Sequence, residues 1–188
     1  YFEDSGKKKP NSYYGDSLAG QKVIGLIEEV KKYYFNKEII DIRKPIVERI
    51  PSRENSHLYY IGDTHGSFED TDKIIHYLVN KIEQFEKQQK ADNNFDSRLL
   101  IVFLGDYVDR NVMDVHNLLY ILSFTIKYSK YVRLLRGNHE EATVNVNYRF
   151  NEHVEKFLQS KKLFEEFELL FSQIPLIHVA DDGEQKTI

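Results

Sequence analysis

Three apolar runs govern what this chain can fold into: HLYYIG at 57–62, RLLIVFLG at 98–105 and YVRLLRG at 131–137. Each is short, dominated by leucine, β-branched and aromatic residues, and closed by a glycine. Such runs read as buried strands. Between them lie DTDKIIHYLVNKIEQFEKQ and MDVHNLLYILSFTIKYS, whose apolar residues recur at helical spacing. In the first, Ile74, Leu78, Ile82 and Phe85 form a stripe along one face. Strand, helix, strand, helix, strand predicts an α/β sheet with crossover helices.

The flanks are read in the same way. Residues 1–17 are polar and unpatterned, an N-terminal tail in which Lys7–Lys9 is a solvated run. A single domain is expected over 18–188. It opens with a helix carrying Val23, Ile27, Val30 and Tyr34 on one face, then a short strand in KPIVERI starting at Pro45. Two further helices are predicted over roughly 140–173. The closing PLIHVADDGEQKTI reads as a hairpin turning at Asp182–Gly183.

Composition narrows the function. A formal net charge of −4, with both signs spread along the chain, argues against a nucleic-acid partner. There are no cysteines, which rules out disulfides, thiolate metal sites and cysteine nucleophiles and fits a reducing, cytoplasmic compartment. No apolar run approaches the ~20 residues of a membrane helix, so no membrane association is expected.

Each predicted strand exits into charge: GDTHG at 62–66, GDYVDRN at 105–111 and RGNHEE at 136–141. Open α/β sheets bind ligands at the carboxyl ends of their strands, where carboxylates meet solvent and one another. Asp63 and His65 are two apart and, on extended chain, would project from one face. The Asp106 carboxylate has two oxygens and can bridge two ions. The Asn138 amide oxygen is a hard, neutral ligand, and the neighbouring His139 should point away from it. Mixed oxygen and nitrogen donors without thiolate suit Mn, Fe or Zn. Two such ions about 3.5–4 Å apart can share a hydroxide and hold both ends of an in-line displacement at phosphorus. Arg110 can clamp two phosphate oxygens. His139 is placed to protonate the leaving oxygen, with Asp109 holding its imidazole.

GDTHG, GDYVDRN and RGNHEE, in this order and spacing, resemble the signature motifs of the PPP family of metal-dependent serine/threonine phosphoprotein phosphatases, to which types 1, 2A and calcineurin belong. The likeness extends from about residue 45 onward. It implies an α/β/β/α metallophosphoesterase sandwich of central β-sheets flanked by helices, of which this chain would supply the N-terminal portion. It implies two divalent metal ions, one held by Asp63, His65 and Asp106, the other by Asp106 and Asn138. Asp109 and His139 would form the catalytic acid pair, and Arg110 and Asn138 would face the phosphate. The substrate implied is phosphoserine or phosphothreonine in a phosphoprotein.

Departures are specific. Asn111 stands where the family has glycine, and asparagine also tolerates a left-handed turn. Ser67 stands where many eukaryotic members carry glutamine. Two histidines and an arginine that complete the family's second metal and phosphate sites are expected beyond Ile188. Two other readings remain on sequence grounds: a dinucleoside polyphosphate hydrolase or phosphodiesterase on the same fold, and a non-catalytic binding module. The remaining histidines, His57, His76, His116, His153 and His178, are expected to be structural or surface residues.

Overall fold

Five consecutive apolar residues, Leu99–Phe103, are all buried, because their strand has a partner on either side and apolar cover on both faces. The structure is a computed structural model of the chain, in which residues 18–35, 47–51, 56–92, 94–181 and 186–187 are described. Its elements run α1 (Leu18–Phe35), β1 (Val47–Pro51), β2 (His57–Ile61), α2 (Phe68–Ala91), β3 (Leu99–Phe103), α3 (Asp114–Lys127) and β4 (Val132–Leu134). Three helices follow, α4 (Ala142–Tyr148), α5 (Phe150–Leu158) and α6 (Lys162–Phe171), then β5 (Ile177–Asp181) and β6 (Lys186–Thr187).

The alternation read from sequence is present as a three-stranded parallel sheet in the order β2-β3-β4, with α2 and α3 as its crossover connections. Alternate residues of β3 serve two faces. Leu99, Ile101 and Phe103 join the main core with Leu118, Leu122 and Phe124 of α3, while Leu100 and Val102 pack with Leu135 on the other side. Each fully buried side chain of this size contributes about 1.5–3 kcal/mol. A second sheet, β1-β5-β6, pairs β1 parallel to β5 and β5 antiparallel to β6. The predicted hairpin is therefore seen in its strands; Asp182 and Gly183 at its turn lie outside the described residues, as do residues 1–17 and Pro45. No helix among the described residues is long and apolar enough to cross a membrane.

Five expectations need correction. The strand at 57–61 is not buried: β2 is an edge strand whose Leu58 and Tyr60 are 37% and 50% exposed. The buried face of α2 uses Ile75, with Leu78, Ile82 and Phe85, and leaves Ile74 half-buried. Two adjacent isoleucines made the phase ambiguous. The stretch 140–173 holds three helices rather than two. The breaks fall at Arg149 (φ 71°) and Gln159 (φ 54°), left-handed residues that are neither glycine nor proline and so carry no breaker signal. The other two concern the backbone at the strand exits, which is left-handed at His65 and at Asp109 and Arg110.

Candidate active site

Parallel pairing brings the three charged exits together. Ile61 is level with Phe103, and Phe103 with Leu134, so all three chains leave the sheet at one edge. Beyond the strands the loops lock onto each other. The amides of Thr64 and His65 donate to the Asp106 carbonyl at 3.1 and 2.9 Å, and the Gly66 amide donates to that of Tyr107 at 3.0 Å. Two of the three exit glycines, Gly105 and Gly137, are demanded by this contact, whereas a Cβ on Gly62 would meet nothing within 4 Å. A Cβ on Gly105 (φ +109°) would run into the backbone of Gly137, and one on Gly137 into Asp106.

Four non-glycine residues here have left-handed backbone: His65 (φ 39°), Asp106 (φ 54°), Asp109 (φ 69°) and Arg110 (φ 66°). Each costs about 1–3 kcal/mol and persists only where surrounding structure enforces it. The left-handed turn expected at Asn111 thus falls on Asp109 and Arg110 instead. Nor is the chain extended at His65, as the spacing argument assumed. The ring still faces Asp63, because the turn is set by the bonds from residues 64–66 to the second loop.

His65 is the centre of the first cluster. Its Nδ1 lies 3.0 Å from the Val108 carbonyl oxygen, which can only accept, so in the neutral ring the proton sits on Nδ1 and Nε2 presents a lone pair. That Nε2 is buried without a hydrogen-bond partner, 3.7 Å from Asp63 Oδ2 and 3.8 Å from Asp106 Oδ2. These separations are too long for hydrogen bonds. Three lone-pair atoms gathered around one point repel unless a cation lies between them, and an oxygen–nitrogen set without sulfur fits a divalent one. The four predicted ligands are not equal: Asp106 is buried, Asp63 is exposed, and Asn138 is exposed at the third turn. The Asn138 side chain makes no hydrogen bond to the other three among the described residues. Its backbone is held next to Asp106, because the following amide, that of His139, donates to Asp106 Oδ1 at 3.0 Å.

His139 forms a second unit. Its Nδ1 lies 2.9 Å from Oδ2 of Asp109, a fully buried carboxylate, and its Nε2 lies 3.3 Å from the exposed Arg110 guanidinium. The rings of His65 and His139 stand edge to face, centroids 4.6 Å apart. One ligand atom from each of His65, Asp106 and His139 lies within 4.8 Å of the others, so a ligand role for His139 is sterically open. Arg110 argues against it: its guanidinium can only donate and already faces the Nε2 lone pair, so a cation there would have to displace it. Proton transfer suits that nitrogen better.

Three buried polar residues that sequence reasoning passed over hold this arrangement. Glu140 accepts from the amides of Asp106, Tyr107 and Gly137 at 2.7, 2.8 and 2.9 Å and so staples the second exit to the third. Burial pushes its carboxyl up to about 7 against the opposing pull of those amides. Asn117 donates to Thr64 Oγ1 at 2.9 Å and the Tyr107 carbonyl at 2.8 Å, tying the first exit to the second. Asn145 donates to Asp109 Oδ2 and the His139 carbonyl. Only Glu140 carried a signal, as an acidic residue inside a quoted motif with no assigned task. His153, expected to be structural, sits on α5 with Nδ1 2.9 Å from buried Asp114, whose carboxyl is pushed up by burial while His153 opposes the shift.

The chain resembles known proteins over most of its length. Residues 56–187 match a family model described as calcineurin-like phosphoesterase. The chain is 33% identical over 115 residues to the serine/threonine-protein phosphatase PP1-delta of Caenorhabditis elegans, covering 61% of this chain and 33% of that protein. It is 27% identical over 167 residues to the human serine/threonine-protein phosphatase with EF-hands 2, covering 88% of this chain and 19% of that one. A solved Saccharomyces cerevisiae protein serine/threonine phosphatase with similarity to human PP5 superposes with a TM-score of 0.61 at 20% identity, over 85% of this chain and 44% of that one. The likeness to that structure is one of fold, and the chain spans a third or less of the two curated relatives. With the family match covering most of its length, and the strand-end residues gathered as described, the chain belongs to the calcineurin-like phosphoesterase family.

Proposed function

We propose that this chain carries metal-binding and acid–base residues of a protein serine/threonine phosphatase active site. The observation that bears most weight is the bare His65 Nε2 between two carboxylates, set beside a His139–Asp109 pair. On this reading Asp63, His65 and Asp106 hold one divalent cation, and Asp106 and Asn138 help hold a second, of the Mn, Fe or Zn class. When bound, such ions neutralise phosphate charge and acidify water.

The chain's own residues do the rest. Arg110, exposed and 3.3 Å from His139, binds two non-bridging phosphate oxygens, with the Asn138 amide beside it. Water attacks phosphorus in line; the new P–O bond forms as the bond to the serine or threonine oxygen breaks. His139 Nε2 delivers its proton to that leaving oxygen, the proton lost by water passes to solvent, and the ring is reprotonated from solvent. Asp109, receiving the Nδ1 proton's hydrogen bond, keeps Nε2 aimed outward and stabilises the charged ring. The names of the relatives support phosphoserine and phosphothreonine in proteins as substrate, and the lack of cysteine supports a reducing intracellular setting.

The test is hydrolysis of a phosphoserine peptide by the full protein with Mn²⁺, set against diadenosine tetraphosphate. Activity should require the metal, favour the peptide and vanish in Asp106→Asn. Undiminished turnover in EDTA would overturn the reading.

A further inference from the structure

We propose that Asn145 is a positioning residue that aims the Asp109–His139 pair, an inference that rests on His139 acting as proton donor. Asn145 lies in α4 and is fully buried. Its Nδ2 donates to Asp109 Oδ2 at 3.0 Å and to the His139 backbone carbonyl at 2.6 Å. Both partners can only accept, so the amide must turn its nitrogen toward them. Asp109 Oδ2 also takes the His139 Nδ1 contact at 2.9 Å, whereas Asp109 Oδ1 and Asn145 Oδ1 are buried without partners.

The three residues thus form a closed ring of contacts. Asn145 holds the carboxylate that holds the imidazole, and also the backbone that carries the imidazole. Asp109 itself sits on left-handed backbone at the second exit and receives no other side-chain bond on its carboxylate among the described residues. Without Asn145 the carboxylate keeps a single side-chain hydrogen bond, the one to His139, and the ring it steers is less firmly aimed. Small misalignments of a proton donor are costly, because proton transfer requires heavy-atom approach within about 2.6–3.2 Å.

α4 is only seven residues long, and its register is held by its ends: the Glu141 carboxylate accepts from the Thr143 and Val144 amides at 3.0 and 3.2 Å, and Arg149 turns the chain at φ 71°. Asn145 is therefore delivered to the pair by a capped helix rather than by a loop.

The test compares wild type, His139→Asn, Asn145→Leu and Asn145→Ser in the full chain with Mn²⁺. Leucine keeps the branched shape and removes both N–H groups; serine covers the case where leucine does not fold. Two substrates are used: phenyl phosphate, whose leaving group needs a proton, and 2,4-dinitrophenyl phosphate, whose leaving group does not. His139→Asn should lose about 100-fold or more in kcat on the first and far less on the second. Asn145 variants should follow the same pattern with about a tenfold loss on phenyl phosphate and unchanged KM. Equal loss on both substrates, or none, in folded Asn145 variants overturns the positioning role. If His139→Asn shows no leaving-group dependence, the reading of His139 fails. The Asn145 inference is then judged by the imidazole ¹⁵N spectrum of the metal-free chain, where Asn145→Leu or Asn145→Ser should mix the His139 tautomers. An unchanged spectrum overturns it.

Discussion

Replacing Gly105 with alanine adds one methyl group at the point where two strand exits touch, and the structure says what that methyl meets. The backbone φ of +109° is one that side-chain-bearing residues rarely adopt, a cost of about 1–3 kcal/mol. The new Cβ would also overlap the nitrogen and Cα of Gly137 and the carbonyl carbon of Arg136, all backbone atoms that cannot rotate aside. Overpacking of this kind adds about 1–3 kcal/mol. Together that is about 2–6 kcal/mol, a large part of the roughly 5–15 kcal/mol by which a domain is stable. Gly25→Ala is the matched control: Gly25 lies in α1 with nothing within 4 Å of an added Cβ, so the same methyl should stabilise by about 0.5–1 kcal/mol through helix propensity. Urea unfolding followed by far-ultraviolet circular dichroism reads both. Mn²⁺ titration should also show weaker binding in Gly105→Ala, because relief of the clash moves the Asp106 and Asn138 turns apart. A Gly105→Ala cost below about 1 kcal/mol, or the same sign as Gly25→Ala, refutes the account of how these exits pack.

Glu168 should make stability fall with pH. Burial, reinforced by Glu141 and Asp109 and opposed by Arg136, pushes its carboxyl from 4.5 up to about 7, so ionising it costs more folded than unfolded. Its favourable contribution is complete below 4.5 and lost as pH rises through 7; Glu168→Gln should match wild type near pH 4.5 and exceed it by roughly 1–2 kcal/mol near pH 8 after solvent screening, measured by urea denaturation. Asp109→Asn should lower kcat on a phosphopeptide by about 10²–10⁴ with little change in KM, since it removes the charge that steadies the His139 ring. A loss under about threefold would separate Asp109 from the chemistry.

Legibility differed by residue for physical reasons. Asp63, His65, Asp106 and His139 could be placed together from sequence because each charged cluster directly follows a strand, and consecutive parallel strands share one exit edge. Glu140, Asn117 and Asn145 could not be placed. Each has at least one partner far off in the chain, 34, 53 and 36 positions away, and a polar residue destined for burial looks in sequence like one destined for water. The helix breaks at Arg149 and Gln159 escaped because neither residue type favours left-handed backbone.

Local chemistry therefore determined the strand–helix alternation, the set of metal-capable donors and the edge of the sheet where they gather, since periodicity and burial act over a few residues. Tertiary structure alone decided the His65 tautomer, the left-handed backbone at Asp106, Asp109 and Arg110, and which buried amides and carboxylates brace the exits. Those depend on contacts between segments more than thirty residues apart, and only a closed fold supplies the dry, crowded setting that makes such contacts obligatory.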